Sequence, residues 1–246
     1  MKAFLLAGGL GERLRPLTDC VPKCLVPING VPLLAIWLDL CTRSGIDAVL
    51  INVSRHGDAV EQFLDSENPP INVRVVREKE PAGNAGSVLA NREFVRGEDN
   101  FFILYADNLT DASLPRLLAF HQTHDGPLSM GLFRAPTPMS AGIVALAPGG
   151  RIRRFQEKPE QPVGNLANAG IYVGRQALFA AIPADRPIVD FGTDVFPGLT
   201  GQLYGQLIDG YLLDIGTPDA LVQGCHDWVS RAPAHDHSSS PLGASS

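Results

Sequence analysis

Short apolar runs alternate with helix-like patterns along the first half of the chain. Unbroken apolar runs suit parallel strands that are buried on both faces, whereas apolar positions at helical spacing suit the helices that cover such a sheet. The pattern predicts strands at 2–7, 48–53, 71–76 and 101–105, and helices at 32–45, 56–65, 84–94 and 113–124. This repeated strand–helix order predicts an α/β fold with a doubly wound, mostly parallel sheet.

The second half of the chain is richer in strand-like runs. Strands are predicted at 128–133, 142–146, 152–157 and 169–173, a continuation of the sheet at 203–213, and a last helix at 220–229. Neither a linker nor an internal repeat interrupts the pattern, so residues 1–231 are predicted to form a single domain. Residues 232–246 are rich in Ser, Pro and Ala and are predicted to be a disordered tail.

A loop of glycines and cations follows the first strand. Its members are Gly8, Gly9, Gly11, Arg13 and, slightly later, Lys23. Glycines let backbone N–H groups approach a phosphate closely, because no Cβ stands in the way. The loop therefore favours a nucleoside triphosphate as ligand. It is not a P-loop, which needs Lys-Ser or Lys-Thr after the glycines, and Leu14 stands where a dinucleotide fingerprint has its third glycine.

Two aspartates stand at predicted strand ends. Asp107 stands after the apolar strand 101–105, and Asp214 stands directly after the run 203–213. In open α/β sheets the ligand lies beyond the carboxyl ends of the strands, where both side chains would face it. A single aspartate at a strand end often only caps a helix, but a pair of carboxylates supplies the oxygen ligands that Mg²⁺ prefers.

These motifs together resemble the family of sugar-1-phosphate nucleotidyltransferases. The N-terminal segment is similar to the family signature Gly-Gly-x-Gly-x-Arg-Leu-x-Pro-Leu-Thr followed by Pro-Lys-x-Leu-x-Pro. Further resemblances lie at 80–87 (Glu-x-Leu-Gly-Thr-Ala-Gly-Ala in the family), at 154–159 (Glu-Lys-Pro) and at 212–217 (Trp-Leu-Asp-x-Gly-Thr). The resemblance implies a Rossmann-like nucleotidyltransferase fold, with residues 1–125 mainly binding a nucleotide and the strand-rich residues 126–231 mainly binding a sugar phosphate.

The resemblance also implies roles for individual residues. Expected nucleotide contacts are Leu6, Ala7, Gly8, Gly9, Gly11, Glu80, Gly83 and Asn84. Expected sugar-phosphate contacts are Gly142, Glu157, Lys158 and Asn168. The expected catalytic residues are Arg13, Lys23, Asp107 and Asp214, of which the two aspartates would hold Mg²⁺.

Two departures of this chain from the family pattern concern the segment implied to recognise the base. Ala82 replaces a leucine and Asn84 replaces a threonine. A carboxylate such as that of Glu80 could accept hydrogen bonds from the two adjacent donors of guanine, N1–H and N2–H, whereas uracil and thymine offer one donor. Backbone carbonyl groups could do the same, so the preference for guanine is an expectation only.

The implied reaction joins a nucleoside triphosphate to a sugar 1-phosphate and releases pyrophosphate. The chain looks most like guanylyltransferases acting on manno-configured sugars, D-glycero-D-manno-heptose 1-phosphate or mannose 1-phosphate. Thymidylyl or uridylyl transfer to a hexose or N-acetylhexosamine 1-phosphate stays open as an alternative, as does a non-catalytic relative that senses nucleotide sugars. The Glu-Lys-Pro and Leu-Asp-Ile-Gly-Thr segments argue against a cytidylyl- or molybdopterin-type nucleotidyltransferase.

Composition agrees with an enzyme of this kind. The chain has 246 residues, is 45% hydrophobic and carries a formal net charge of −6, with no basic tract for nucleic acid. Apolar stretches end well short of the ~18 residues of a membrane span, and no secretory pattern is seen, so a cytoplasmic location is expected. A homo-oligomer is left open. The four cysteines are expected to be reduced and partly buried, and His121, His124 and His226 to be surface or capping residues.

Overall fold

A mixed sheet with helices on its faces makes up the fold. The computed structural model describes residues 1–9 and 11–231. Its strands are β1 (Lys2–Leu6), β2 (Pro27–Ile28), β3 (Val31–Pro32), β4 (Ala48–Val53), β5 (Asn72–Arg77), β6 (Phe101–Tyr105), β7 (Asn108–Thr110), β8 (Leu128–Arg134), β9 (Gly142–Leu146), β10 (Ile152–Glu157), β11 (Leu166–Gly174), β12 (Tyr204–Leu207) and β13 (Leu212–Asp214). Its α-helices are α1 (Leu17–Cys20), α2 (Leu33–Arg43), α3 (Gly57–Glu67), α4 (Asn84–Ala90), α5 (Leu114–His121) and α6 (Pro218–Trp228).

The parallel strands of the first half form one side of the sheet in the order β5-β4-β1-β6. Strand β1 lies between β4 and β6 and pairs in parallel with both, with Lys2 opposite Ala48 and Phe101. The chain therefore builds outward from β1 to β5 and then returns to the other side of β1 to form β6. A reversal of this kind opens a crevice at the carboxyl ends of the strands.

The strands of the second half continue the sheet mainly by antiparallel pairing. Strand β11 is antiparallel to β6, β8 and β9, and β9 is antiparallel to β10, whereas β12 runs parallel to β8. The predicted α/β class, with a doubly wound sheet and a strand-rich second half, is confirmed. The predicted tail, 232–246, lies outside the described residues.

The predicted continuous strand at 203–213 is wrong, because the chain turns within it. Strand β12 joins the large sheet, whereas β13 pairs with β7 in a separate two-stranded sheet. The turn is at Gly210, whose φ of 108° places it in the left-handed region, and a Cβ there would collide with the Asp111 carboxylate. The same carboxylate accepts the Tyr211 N–H at 2.6 Å. Sequence periodicity did not show this turn, which brings β13 beside β7.

The side chains on the two faces of β1 pack into two different apolar clusters. Side chains alternate along a strand, so Ala3 and Leu5 point to one face and Phe4 to the other, and all three are fully buried. On the first face lies Trp37 of α2, and on the second lies Phe191.

Within the described part of the chain, no helix is long and apolar enough to cross a membrane. Helix α4 ends four residues earlier than predicted.

Two of the histidines, expected to be surface or capping residues, pack instead against β8 and its neighbours. His121 is fully buried at the end of α5, with Nδ1 2.8 Å from Ser129 Oγ. His124 is half-buried, with Nε2 2.8 Å from the same hydroxyl oxygen and its ring stacked on Tyr204. The prediction holds for His226, which is exposed. The spacing of His121 and His124 in the sequence did not show that the end of α5 packs against β8. Cys24 and Cys41 are also buried, whereas Cys20 is exposed.

Burial of His121 is expected to make the protein less stable in mild acid. Burial, together with the charge of Arg175, lowers the pKa of His121 to about 3. The unfolded chain binds the proton near pH 6.5, so stability is lost as the pH falls below that value. We expect the free energy of unfolding to fall by about 2 kcal/mol between pH 7 and pH 5 through this residue.

Urea denaturation at pH 7 and pH 5 measures this effect. His121→Gln should have a smaller pH-dependent loss than the unsubstituted protein, whatever its absolute stability. His226→Gln, at an exposed site, should keep the full loss. An equal loss in all three proteins would exclude His121 as its cause.

Candidate nucleotide-transfer site

The parallel strands end at one large cavity. It measures about 810 Å³, its open mouth included, and is lined by residues at or just after the carboxyl ends of the four strands. Ala7 follows β1, Glu78 follows β5, and Asp107 follows β6, while Asn52 lies near the end of β4. Ligands of doubly wound sheets bind where the strand order reverses, which is here beside β1.

Most of the predicted nucleotide contacts line this cavity. They are Leu6, Ala7, Gly8, Gly9, Gly83 and Asn84. Gly11 lies beside the cavity and shapes the loop instead, because its φ of 63° is left-handed and a Cβ would approach Thr18 Cγ2 to 2.9 Å. Glu80 is exposed and does not line the cavity, whereas Glu78, two residues earlier, does.

A buried polar residue in the cavity lining, Asn52, was not identified from the sequence. Asn52 is buried, its Oδ1 accepts the Ala7 N–H at 2.9 Å, and its Nδ2 donates to Glu78 Oε1 at 3.2 Å. A Cβ at Gly8 would lie 2.9 Å from Asn52 Nδ2, which explains glycine at that position. The available signal was a lone asparagine in an otherwise apolar strand. Ser87 and Tyr105 also line the cavity and were not predicted.

Two hydroxyl groups fix the glycine loop from outside the cavity. Ser54 Oγ donates to the Gly8 carbonyl oxygen at 3.0 Å, and Thr18 Oγ1 donates to the Gly11 carbonyl oxygen at 2.8 Å. Among the described residues, the N–H groups of Gly8 and Gly9 have no acceptor. Free backbone N–H groups on a fixed loop are suited to bind phosphate oxygens.

The four predicted catalytic residues form one cluster at the cavity, which Lys23 and Asp107 line and which Asp214 and Arg13 extend outward. Lys23 Nζ lies 2.9 Å from Asp107 Oδ2 and 2.9 Å from Asp214 Oδ1. Arg13 Nη2 lies 3.3 Å from Asp214 Oδ2. Lys23 is 7% exposed, so its ammonium group is held in place between two carboxylates that are themselves half exposed. The structure thus joins residues that are far apart in the sequence.

The β7–β13 pair places the two aspartates side by side. Asp214 is opposite Asn108, and the Ile215 N–H donates to the Asp107 carbonyl oxygen at 3.1 Å. Trp37 Nε1 fixes the same strand by donating to the Asn108 carbonyl oxygen at 2.8 Å. A Cβ at Gly216 would lie 2.6 Å from Arg13 Nη2, so this glycine leaves room for the guanidinium beside Asp214.

Asp107 and Asp214 fit a divalent cation that also binds phosphate. Among the described residues, no group of three or more His, Cys, Asp or Glu side chains could hold a metal by itself. Mg²⁺ is usually bound by one or two carboxylates and completes its shell with water and phosphate oxygens. Both carboxylates are partly exposed at the mouth of the cavity, as this requires.

The predicted sugar-phosphate contacts lie apart from the cavity lining. Glu157 is half-buried, and burial raises the pKa of its carboxyl group. Cβ atoms at Gly142 and Gly192 would lie 2.8 and 2.5 Å from Glu157 Oε2, so both glycines make room for the carboxylate. Lys158 is exposed. The Asn168 amide is engaged within β11, where it donates to Tyr172 Oη at 2.7 Å.

Asn84 links the cavity to the segment around Glu157. Its Nδ2 donates to Asp190 Oδ2 at 2.5 Å, and its Oδ1 accepts the Phe191 N–H at 2.7 Å. Asp190 Oδ1 in turn accepts the Gly192 N–H at 2.8 Å. Because Gly192 packs against Glu157, Asn84 positions one wall of the predicted sugar site while it lines the nucleotide cavity.

Asn84→Thr is expected to destabilise the protein and loosen this wall. A threonine side chain cannot replace both hydrogen bonds, one of which is to a carboxylate, so we expect a loss of about 2 kcal/mol in the free energy of unfolding. Urea denaturation measures it, with Asn72→Thr on the exposed edge strand β5 as the control. Equal stability of the two variants would contradict the role given to Asn84.

The fold and the cavity with its charged cluster define a nucleotide-binding α/β protein of the doubly wound class. Residues 2–230 match the family model described as nucleotidyl transferase. The chain therefore belongs to the nucleotidyl transferase family, and the family resemblance predicted from its motifs is confirmed.

Relatives of known name agree with this assignment. The chain is 33% identical over 230 residues to the mannose-1-phosphate guanylyltransferase catalytic subunit beta of Xenopus tropicalis, and the match covers 91% of the chain and 63% of the relative. It is 32% identical over 231 residues to mannose-1-phosphate guanylyltransferase 1 of Arabidopsis thaliana, with the same coverage. The chain thus spans 63% of the length of these relatives.

Solved structures confirm the fold. HddC from Yersinia pseudotuberculosis matches with a TM-score of 0.77 at 23% identity, over 92% of this chain and 99% of that chain. A second structure of the same protein, complexed with GMP-PN, matches with a TM-score of 0.76 at 22% identity, over the same fractions of the two chains. At this level of identity the likeness concerns the fold alone.

Proposed function

We propose that this chain transfers a guanylyl group from GTP to the 1-phosphate of a manno-configured sugar, mannose or a heptose, and releases pyrophosphate. The observation that carries the proposal is the position of Lys23 between Asp107 and Asp214 at the mouth of the cavity. This arrangement places fixed charge where the phosphates of a nucleotide on the glycine loop would lie.

The reaction needs no general base, because the sugar phosphate is already ionised at neutral pH. A phosphate oxygen of the sugar attacks the α-phosphorus in line, the new P–O bond forms, and the bond to the β-phosphate breaks. The leaving pyrophosphate keeps the electron pair of that bond. Catalysis then depends on positioning and on charge neutralisation.

Different residues of the loop and the cluster bind different phosphate groups in this reaction. The loop N–H groups of Gly8 and Gly9 bind phosphate oxygens, and Lys23 lies beside the α-phosphate. Arg13 neutralises the charge that develops on pyrophosphate. Mg²⁺ held by Asp107 and Asp214 would supply further neutralisation of the phosphates.

Support for guanine comes from the cavity and from the relatives. Glu78, not Glu80, places a carboxylate in the cavity, where it could accept hydrogen bonds from guanine N1–H and N2–H. The relatives cited above carry the name mannose-1-phosphate guanylyltransferase. On the sugar side, Glu157 is available to sugar hydroxyls and Lys158 to the sugar phosphate, as their motif implies.

A cytoplasmic location and a homo-oligomer stay predictions.

Pyrophosphate release tests the proposal. GTP, ATP, UTP, CTP and dTTP are each combined with manno-heptose, mannose, glucose and N-acetylhexosamine 1-phosphates, with Mg²⁺ or with EDTA. We expect a Mg²⁺-dependent signal with GTP and a manno-configured sugar. A signal with dTTP or UTP and another sugar would replace the base and sugar assignment, and silence in folded protein would favour a sensing role.

A further inference from the structure

A second, smaller cavity lies on the other side of the glycine loop. It is much smaller than the nucleotide cavity and partly open to solvent. The two cavities share Ala7 and Gly9, so they adjoin each other at the glycine loop. The cationic or titratable side chains of its lining are Arg15, Arg55 and His56, and the described lining contains no Asp or Glu.

The cations of this cavity are weakly engaged by the protein. Among the described residues, Arg55 makes no ion pair and its side chain makes no hydrogen bond. Arg15 Nε lies 3.2 Å from Asp19 Oδ1, but both side chains are half exposed, and an exposed pair of this kind contributes little. Two guanidinium groups thus face a small cavity without strong partners of their own. Guanidinium groups are well matched to phosphate oxygens.

The charge at the neighbouring catalytic cluster is already balanced. Arg13 and Lys23 are paired with Asp107 and Asp214, two cations with two carboxylates. A triphosphate that reaches this cluster brings several negative charges more. Arg15 and Arg55 line the cavity on the other side of the shared loop and would add two cations to those of the cluster and of Mg²⁺.

We propose that the cavity lined by Arg15, Arg55 and His56 binds a phosphate or pyrophosphate group. The group has two possible sources, the terminal phosphates of the bound nucleoside triphosphate or a free inorganic anion. Only the first source depends on the proposed function. Two guanidinium groups and the lack of acidic lining suit an inorganic anion.

Calorimetric titration of inorganic pyrophosphate into the full chain tests the site directly. We expect Arg55→Ala to weaken pyrophosphate binding at least tenfold, Arg55→Lys to recover part of the loss, and Arg15→Ala to weaken it as well. GMP, which lacks terminal phosphates, should bind all variants equally. Arg74→Ala on β5, at an exposed arginine without an ion pair among the described residues, is the matched control and should bind pyrophosphate normally.

A second titration distinguishes the two sources. Loss of pyrophosphate binding at saturating GTP would assign the site to the terminal phosphates of the nucleotide, whereas retained binding would assign it to a free anion. Unchanged pyrophosphate affinity in the Arg15→Ala/Arg55→Ala double variant would overturn the proposal. These titrations measure binding and do not need turnover. They therefore test the anion site even if no substrate pair gives activity in the transfer assay.

Discussion

Asp107→Asn is expected to keep the fold and lose about 10³-fold in kcat/KM, which corresponds to about 4 kcal/mol of transition-state stabilisation. Asparagine has the same shape but no charge, so Lys23 would keep only Asp214 as a counter-charge. The pair of carboxylates that fits Mg²⁺ would also be broken. Because Asp107 is 45% exposed, the cost in stability should stay within about 1 kcal/mol.

The measurement is pyrophosphate release at several Mg²⁺ concentrations, together with thermal unfolding. Asp99→Asn is the matched control, because Asp99 is exposed and makes no ion pair among the described residues. The control should keep full activity. Asp214→Asn should resemble Asp107→Asn, and the double variant should lose little more than either one, since the two carboxylates act on the same Lys23. Activity near the unsubstituted level in Asp107→Asn would remove this residue from the site.

The catalytic cluster could be predicted because its members stand in linear motifs at strand ends. Arg13 and Lys23 follow β1, and Asp107 follows β6, so the topology of a doubly wound sheet already directs them to one edge. Asp214 was predicted from its own motif, although the strand that carries it was assigned to the wrong sheet. The local motif was a stronger signal than the strand pattern around it.

The Asn52 and Glu78 side of the cavity could not be predicted because it depends on contacts between strands. Asn52 acts on the Ala7 peptide and on Glu78, which are distant in sequence and meet only through the β1–β4–β5 pairing. A linear motif likewise could not show that Glu78, and not Glu80, enters the cavity. His121 was misplaced for the same reason, since its burial follows from packing against Ser129 of β8.

Arg13 lies at the exposed side of the cluster. It is 69% exposed, it reaches Asp214 at 3.3 Å, and the absence of a side chain at Gly216 leaves space for it. Its guanidinium therefore lies at the solvent side of the cluster, opposite the buried end of Lys23. An exposed guanidinium beside the carboxylate pair is available to a leaving pyrophosphate, so under the proposed function Arg13 neutralises charge that develops as the bond breaks.

Arg13→Ala is accordingly expected to lower kcat by 10²- to 10³-fold, about 3–4 kcal/mol, with little change in thermal stability. Arg13→Lys should recover only part of the rate, because an ammonium group keeps the charge but not the planar fork that binds two phosphate oxygens. Arg96→Ala is the control, since Arg96 is similarly exposed at 77% and pairs with Glu93 far from the cavity. Single-turnover rates at saturating substrate separate this effect from binding. A kcat in Arg13→Ala within twofold of the control would mean that charge on the leaving group is neutralised elsewhere, and Arg15 and Arg55 would then be the first residues to substitute.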